Sequence, residues 1–523
     1  MNLFNKAIAS AAIATTAALS LSAKAEGLTF SIGQNFTGLT LNDIVDLTGY
    51  GFDPPDSMGA VGPDHFVEFI NGGYSIYDKT NGTAVQTMSD VQFWTSVANL
   101  DLTDFLSNPN NFLIDPRILY DPTSQRWFAA EIDVPFQENG DNASNNFLLA
   151  VSNSSDPTAG WTGFKIDADS TDSYFADYPT LGLNADGVYI ASNNFNLFTD
   201  PNDTVLGVTL VSIPKADLLA PTPTIANLTI FENLDARQFG FTLQPAVDFG
   251  PSDGREPILA RQCTGLDCSD FSSPYTVLPR TDLFNTGTSL ASLGLPLNIG
   301  VSPYSHPPLA TQPDGSVEIK AGDTRINSTV YKLNNSLWTV HSTEVNGRSA
   351  LRWYEIDATT NAGLQSGTIG DPDHDYFYPS IAVNEFGHAV IGFSRSGLDE
   401  FISSYAVVGD TIDGVTSFTD PILLKAGLDN YHLSGGDFER WGDYSATTVD
   451  PTDPFSFWTI QEFAAQPGTF PSTWATQITQ IRIAPSTVPE PTSALGLLAF
   501  GAFGVGSRLK RRQQQNDQNN NLN

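Results

Sequence analysis

The chain has 523 residues, of which 40% are apolar and 11% aromatic, and these fractions exclude a disordered chain because they suffice for a hydrophobic core. Lysine and arginine number 24 against 58 aspartates and glutamates, so the formal net charge is −34 and charge-driven nucleic-acid binding is excluded. The same acidity is typical of a soluble extracellular protein, and it is also compatible with binding of hard cations such as calcium.

The first 25 residues have the order of a secretory signal peptide. Lys6 precedes an apolar, alanine-rich run from about Ala7 to Leu21, and the small residues Ala23 and Ala25 follow. A basic start, an apolar stretch and a small-residue cleavage site are the features that signal peptidase recognises. We therefore expect cleavage after residue 25 and export of the protein.

From residue 26 to residue 487 the sequence alternates short β-rich runs with Gly, Asn, Asp and Pro turns, which predicts one all-β domain. Five runs share an opening Pro or Ser, two apolar alternations, a polar turn and a second strand. They open at Pro116, Pro179, Pro245, Pro379 and Ser445. The spacing is about 65 residues with one double gap, a period that suits a repeat architecture.

Two further runs, 57–78 and 327–343, bring the number of copies to seven. A four-stranded sheet in each copy buries its faces only against its neighbours, so the repeat predicts a seven-bladed β-propeller. The strand-like segment 27–36 is expected to supply the outer strand of the last blade. Tandem β-sandwiches are the alternative, which the lack of Pro-rich linkers disfavours.

Acidic residues stand close to the start of several predicted inner strands. Asp177 and Asp443 occupy the same repeat position, and Asp115 and Asp375 lie near it in their own copies. We expect these four carboxylates to converge at one mouth of the central channel. Three roles stay open at this point: capping of strand entries, binding of calcium, or general acid–base catalysis.

A catalytic role would use Asp177 and Asp443 with Arg117 and Arg440 as charge partners. Strand residues that could add a carboxylate, or simply lie on a blade face, are Glu68, Glu131 and Glu462. Paired carboxylates across a sugar would suit a glycosidase. The turns 184–190 and 312–319, however, lack the Ser and Trp of the sialidase Asp-box.

Three aromatic side chains beside these aspartates are candidates for ligand binding. They are Tyr178, Trp441 and Tyr444, and Trp441 is the one expected to offer a sugar-stacking surface. Separately, Cys263 and Cys268 are expected to form a small disulfide loop in an exported protein, since no further ligands for a zinc site lie nearby.

The C-terminal segment contains Val488-Pro489-Glu490-Pro491, an apolar run at Thr492–Val505 and a basic cluster formed by Arg508, Lys510, Arg511 and Arg512. The apolar run is shorter than the roughly 20 residues that a spanning helix needs. Residues 488–512 resemble the PEP-CTERM sorting signal, followed by a polar tail at 513–523. The resemblance implies transient membrane contact of a transmembrane sorting helix, and cleavage by exosortase in a Gram-negative bacterium that makes extracellular polysaccharide.

The sequence thus predicts a secreted propeller at the cell surface or in the extracellular matrix. Its expected partners, beyond the processing enzymes, are polysaccharide or a surface protein, and its expected role is non-catalytic binding. The alternative is a glycoside hydrolase or lyase acting on extracellular polysaccharide, with the four aspartates as its site.

Overall fold

The computed structural model describes residues 28–484, except for 137–143, 197–205, 266–267, 269–273, 314, 316, 434–435 and 467–471. The chain divides into two units, Met1–Ile483 and Ala484–Asn523, and every described strand and helix belongs to the first. The structure is 57% strand and 7% helix, which confirms the all-β prediction. The signal peptide (1–25), the sorting signal (488–512) and the polar tail (513–523) lie outside the described residues.

The strands form antiparallel hairpin groups that follow one another along the chain. An opening strand and helix precede the first group: β1 (Phe30–Thr40) and α1 (Leu41–Thr48). The first group contains β2 (Met58–Val61), β3 (His65–Ile70), β4 (Gly73–Asp78) and β5 (Ala84–Met88). Three short helical segments follow it: α2 (Asp90–Gln92), a π-helix (Phe93–Val97) and α3 (Thr103–Leu106).

The next groups repeat the same order of strands. The second contains β6 (Phe112–Asp121), β7 (Arg126–Val134), β8 (Asn146–Ser152) and β9 (Trp161–Asp167). The third contains β10 (Tyr174–Leu183), β11 (Gly187–Asn196), β12 (Gly207–Pro214), α4 (Lys215–Leu218), β13 (Thr229–Asp235) and then α5 (Ala236–Phe239). The fourth contains β14 (Phe241–Asp248), β15 (Arg255–Arg261), β16 (Tyr275–Phe284), β17 (Ser292–Leu293) and β18 (Leu297–Tyr304).

The last three groups complete the described chain. The short strand β19 (Glu318–Ile319) precedes β20 (Val330–Leu333), β21 (Ser336–Val345), β22 (Arg348–Asp357) and β23 (Gly363–Ile369). The sixth group contains β24 (His374–Val383), β25 (His388–Gly397), β26 (Glu400–Ile412), β27 (Val415–Phe418) and β28 (Ile422–Lys425). The final strands are β29 (Phe438–Glu439), which pairs with β19, and β30 (Ala446–Asp450), β31 (Asp453–Ala465) and β32 (Thr473–Ile483).

The first strands of the groups contact one another in chain order. β2 contacts β6, and the series continues through β10, β14, β20, β24 and β30. β30 in turn contacts β2. The N-terminal strand β1 pairs antiparallel with β32 and so forms the edge of the sheet β30-β31-β32-β1, which confirms that the N-terminal segment completes the last sheet.

Four of the first strands carry the same β-bulge. In β6, β10, β14 and β24 one extra residue interrupts the pairing with the next strand, and the residue at the bulge has a positive φ. These residues are Asp115, Tyr178, Thr242 and Tyr378, with φ of 62°, 57°, 60° and 49°. A non-glycine residue in this region is strained, so surrounding contacts must hold it there.

The position of the bulge shows that the sequence alignment of the repeat copies was wrong for β14. Pro116, Pro179 and Pro379 directly follow their bulge residues, but Pro245 stands two positions later in its strand than these prolines do. The residue equivalent to them in β14 is Leu243, which is buried like its neighbours. The proline pattern therefore located this strand but misplaced its register by two residues.

The core consists of apolar side chains packed between neighbouring groups. Trp127, Trp161, Trp458 and Trp474 are at most 2% exposed, as are most of the Ile, Val and Leu side chains of the first and second strands. Each large apolar side chain buried in this way contributes roughly 1.5–3 kcal/mol to stability.

Candidate functional site

The starts of the first strands bring acidic residues together from distant parts of the chain. Asp115 lies in β6, Asp177 in β10 and Asp443 just before β30, and the charges of Asp177 and Asp443 both act on Asp115. Burial, together with those two charges, raises the pKa of Asp115 to about 7 against the opposing charge of Arg117. Three of the four predicted aspartates therefore converge at one end of the group of first strands, as the sequence predicted.

A fourth carboxyl group joins them that the sequence did not reveal. Asp56, in the loop before β2, is buried, and burial and the charges of Asp443 and Asp115 raise its pKa well above the usual value. Asn71 donates one hydrogen bond to the Asp56 carboxyl (2.9 Å) and accepts another from the Asp115 backbone N–H (2.8 Å). Burial and repulsion from neighbouring carboxylates therefore raise the pKa of both the Asp56 and the Asp115 carboxyl groups.

Asp375 does not belong to this cluster. Its carboxylate accepts hydrogen bonds from the backbone N–H groups of Thr311 and Ser349, both at 3.0 Å, and pairs with Arg348 at 2.9 Å. In β24 the position equivalent to Asp177 is occupied by buried Phe377, because Asp375 stands two residues earlier in the strand. The prediction that all four aspartates face one mouth was wrong for Asp375, which ties β24 to the preceding group.

Arg117 is buried between two tyrosines. Its guanidinium carbon lies 3.4 Å from the centre of the Tyr444 ring and 5.1 Å from that of Tyr178, and its Nε donates to the Pro179 carbonyl oxygen (2.8 Å). The Tyr444 hydroxyl donates to the carbonyl oxygen of Pro116 (2.9 Å). Arg117 thus balances the acidic cluster from inside the protein and has no exposed face for a substrate.

A second arginine, Arg325, also lies close to Tyr178. The Arg325 guanidinium lies 4.5 Å from the Tyr178 ring centre and pairs with Asp323 at 2.6 Å. Burial raises the pKa of half-buried Asp177, while the charge of Arg325 opposes the rise. The space left among these groups is a cavity of about 10 Å³, lined by Tyr178, Tyr378 and Asp443 among others. That volume corresponds to about one water molecule.

The three predicted ligand-binding aromatics are buried. Tyr178, Trp441 and Tyr444 are 2%, 1% and 0% exposed. The indole N–H of Trp441 donates to the Ser394 hydroxyl (3.1 Å), and its ring meets Tyr431 edge to face with centres 4.9 Å apart. The expectation that Trp441 offers a sugar-stacking surface was wrong, because Ser394 and Tyr431 cover it.

Arg440 is the most exposed member of the predicted set. Its side chain is 43% exposed and its Nη2 lies 3.2 Å from the Asp443 carboxylate. Within the described part of the chain, no group of three or more His, Cys, Asp or Glu side chains is arranged to hold a metal ion. Nor does any described helix have the length and apolar character required to cross a membrane.

The opposite ends of the first strands surround a much larger cavity. Its volume is about 660 Å³, and it is lined by the turn after β14 (248–253) and by the ends of β20, β24 and β30. An adjoining cavity of about 210 Å³ shares Phe249, Tyr331, Val449 and Pro454 with it and reaches the ends of β2 and β6. We call the two together the wide mouth. No sequence motif marked it, because its lining residues come from six separate hairpins.

Cys263 and Cys268 lie at disulfide distance, with an S–S separation of 2.06 Å. They are in the segment after β15, remote in sequence from the aspartates. The bond is placed as the sequence predicted, in a loop that closes over only a few residues.

Residues 487–512 match the family model described as the PEP-CTERM protein-sorting motif. The chain is therefore an exported protein sorted by exosortase. No curated protein matches the chain.

Several solved structures share part of its shape at low identity. A Dyadobacter fermentans protein of unknown function is 12% identical, with a TM-score of 0.40 over 72% of this chain and 96% of that one. Drosophila Semaphorin 1b, extracellular domains 1–2, is 8% identical, with a TM-score of 0.38 over 87% of both chains. A Trypanosoma rangeli sialidase is 11% identical, with a TM-score of 0.30 over 71% of this chain and 53% of that one, so the match spans about half of the sialidase.

Proposed function

We propose that the protein is a seven-bladed β-propeller that acts as a non-catalytic binding protein at the surface, or in the extracellular polysaccharide, of a Gram-negative bacterium. Its propeller domain is residues 26–487. The mature form lacks the signal peptide and the segment after Pro489, Glu490 and Pro491, removed by signal peptidase and exosortase. Its partner is a polysaccharide or a surface protein of the same matrix.

The order in which the first strands contact one another supports a closed ring. Each first strand contacts the next, and β30 contacts β2, which is the neighbour order that seven blades around one axis require. β1 beside β32 would then latch the ring, because the chain's first strand completes its last sheet. Glu68 strengthens the pairing of β1 with β32. Its carboxyl group accepts hydrogen bonds from the backbone N–H of Leu39 in β1 and from the hydroxyl group of Thr476 in β32.

The single observation that carries the non-catalytic proposal is the closure of the acidic cluster. A glycosidase must present two carboxyl groups to a sugar ring and, in the inverting case, to a water as well. Here Asp56 and Asp115 are buried, and the cavity beside Asp443 holds about 10 Å³. A sugar ring does not fit that space, and the surrounding Arg117 and Arg325 already compensate the charge. These carboxyl groups are suited to holding the ring together.

The proposed binding is tested by cosedimentation. Purified mature protein is mixed with the extracellular matrix fraction of the exporting bacterium, which contains both polysaccharide and surface proteins. We expect the protein to sediment with the matrix, and the variant Asp177→Asn to sediment equally. Protein that stays in the supernatant in both low and high salt would overturn the binding proposal.

The proposed processing is tested by mass spectrometry of the exported protein. We expect an N-terminal peptide that begins at Glu26 and no peptide from the basic cluster around Arg511. Replacing Glu490 with Ala is expected to leave the C-terminal segment attached, whereas replacing Glu385, which lies in the described domain, is not. An intact C-terminal peptide on the exported wild-type protein would refute processing.

A further inference from the structure

The wide mouth combines an apolar wall with acidic side chains. Phe249, Val383, Val449 and Pro454 contribute apolar surface, and Phe249 is 37% exposed. The volume of about 660 Å³ falls within the roughly 300–1,000 Å³ of cavities that hold small ligands or peptide side chains. The cavity therefore has the size and the lining of a binding site.

The charges of the lining are unbalanced. Among the described residues that line the larger cavity, the acidic ones are Asp248, Asp253 and Glu385, and Lys332 is the one cation. Lys332 Nζ lies 2.8 Å from Asp248 and 2.6 Å from Asp253, so it is already held by two carboxylates. Lys332 offers no free charge to an anion, and Glu385 on the β24–β25 turn adds a further negative charge.

The position of Glu385 matters because its neighbours hold the turn in place. The Asn384 side chain donates to the Pro454 carbonyl oxygen (2.7 Å) and accepts from the Phe386 backbone N–H (3.1 Å). Phe386 is 49% exposed and stacks on Phe455 with ring centres 4.5 Å apart. Glu385 thus lies on a turn that these contacts hold in place. It stands between the apolar cavity and the stacked pair of Phe386 and Phe455.

We propose that the wide mouth binds a cationic, apolar-bearing peptide segment of a partner protein, with an aliphatic or aromatic side chain in the cavity and a Lys or Arg against Glu385 and the Asp248–Lys332–Asp253 group. The inference rests on the proposed binding role and names its site and ligand. Charge complementarity carries it: a net charge of −34 and an acidic lining oppose acidic polysaccharide and favour a cation.

The test uses isothermal titration calorimetry of the mature protein at low salt with three capped tripeptides, Leu-Lys-Leu, Leu-Gln-Leu and Leu-Glu-Leu. We expect the lysine peptide to bind, the glutamine peptide to bind about tenfold more weakly, and the glutamate peptide not to bind. The affinity of the lysine peptide should fall as salt is raised, since screening weakens the exposed part of the attraction.

Two variants locate the binding. Glu385→Lys and Leu333→Arg, the latter at the end of β20 in the lining, should each weaken the lysine peptide about tenfold or more. Glu318→Lys makes the same charge change on an exposed residue of β19, outside the lining, and should leave binding unchanged. If Leu333→Arg does not fold, Glu385→Lys decides alone.

Equal binding of all three peptides, unchanged binding by Glu385→Lys, or no binding of any peptide would overturn the proposal. Loss of peptide binding while the protein still sediments with the extracellular matrix would contradict this inference but not the proposed function. Failure of both assays would contradict both the peptide-binding site and the proposed function.

Discussion

The Arg117 guanidinium carbon lies 3.4 Å from the centre of the Tyr444 ring, although the two residues come from the second and the last groups of strands. The Tyr444 hydroxyl returns a hydrogen bond to the carbonyl oxygen of Pro116, the residue before Arg117. The pair therefore links β6 to the segment just before β30. It also places a buried cation where the acidic carboxyl groups of Asp56 and Asp115 converge.

Replacing Arg117 with Ala should lower the free energy of unfolding by about 3 kcal/mol. The change removes a buried cation–π contact and leaves the neighbouring carboxyl groups without their counter-charge. Urea unfolding followed by tryptophan fluorescence measures the loss. The matched control is Arg440→Ala: its side chain is 43% exposed and its pair with Asp443 should contribute less than about 1 kcal/mol. Equal losses in the two variants would contradict a central role for Arg117.

The pH dependence of stability should run opposite to that of most proteins between about pH 5 and 7. Burial raises the pKa of Glu68 to about 7, although hydrogen bonds from Thr476, Tyr77 and Leu39 oppose the rise. The folded state thus holds a proton that the unfolded state releases near pH 4.5, so stability falls as pH rises through this window. The Glu68 contribution is on the order of 3 kcal/mol.

Glu68→Gln should flatten this dependence. The melting temperature of the variant, measured from pH 5 to pH 8, should change less with pH than that of the wild type. The difference in slope should correspond to one proton released on unfolding. Glu318→Gln, an exposed site, serves as the control and should follow the wild type. A Glu68→Gln variant that keeps the full wild-type slope would show that Glu68 titrates normally in the folded state.

The sequence predicted more of this acidic cluster than of its surroundings. The shared Asp-Tyr pairs at 177–178 and 443–444 marked one repeat position, and the structure brings both aspartates together with Asp115. Asp375 was misplaced because it stands two residues earlier in β24 than Asp177 does in β10, where its carboxylate meets Arg348 and the Ser349 backbone N–H. Asp56 was missed because its copy enters the strand through two prolines and lacks the aromatic pattern.

The burial of Trp441 could not be predicted from its neighbours in sequence. Ser394 and Tyr431, which cover it, come from β25 and from the loop after β28, and local periodicity carries no information on such contacts. The wide mouth was missed for the same reason: its lining comes from six hairpins that are far apart in the sequence. The fold class followed from patterns repeated along the chain, whereas the cavities depend on how the copies close.

Trp441→Ala should destabilise the protein by about 3–5 kcal/mol, since it removes a fully buried indole and leaves a cavity. The folded fraction of the variant should still sediment with the extracellular matrix as the wild type does. Phe438→Ala, at a side chain 42% exposed in the same segment, should cost much less stability. Unchanged stability together with lost sedimentation with the matrix would show that Trp441 contacts the ligand.

Chelation of divalent cations should leave the melting temperature unchanged. Burial raises the pKa of Asp115 and of Asp56, which favours their neutral forms, and the charge of Arg117 acts on Asp115, so a calcium ion is not needed to offset their repulsion. Differential scanning fluorimetry with EDTA, with added calcium and with neither compares the three states. A shift of several degrees on chelation that calcium reverses would bring back a metal at the aspartates.

The most direct test of the account is the chain length of the host polysaccharide after incubation with the mature protein, measured by size-exclusion chromatography. The cavity beside Asp443 is too small for a sugar ring, so we expect an unchanged elution profile for the wild type and for Asp177→Asn and Asp443→Asn alike. Shortening of the polysaccharide by the wild type that is lost in both variants would contradict the non-catalytic role.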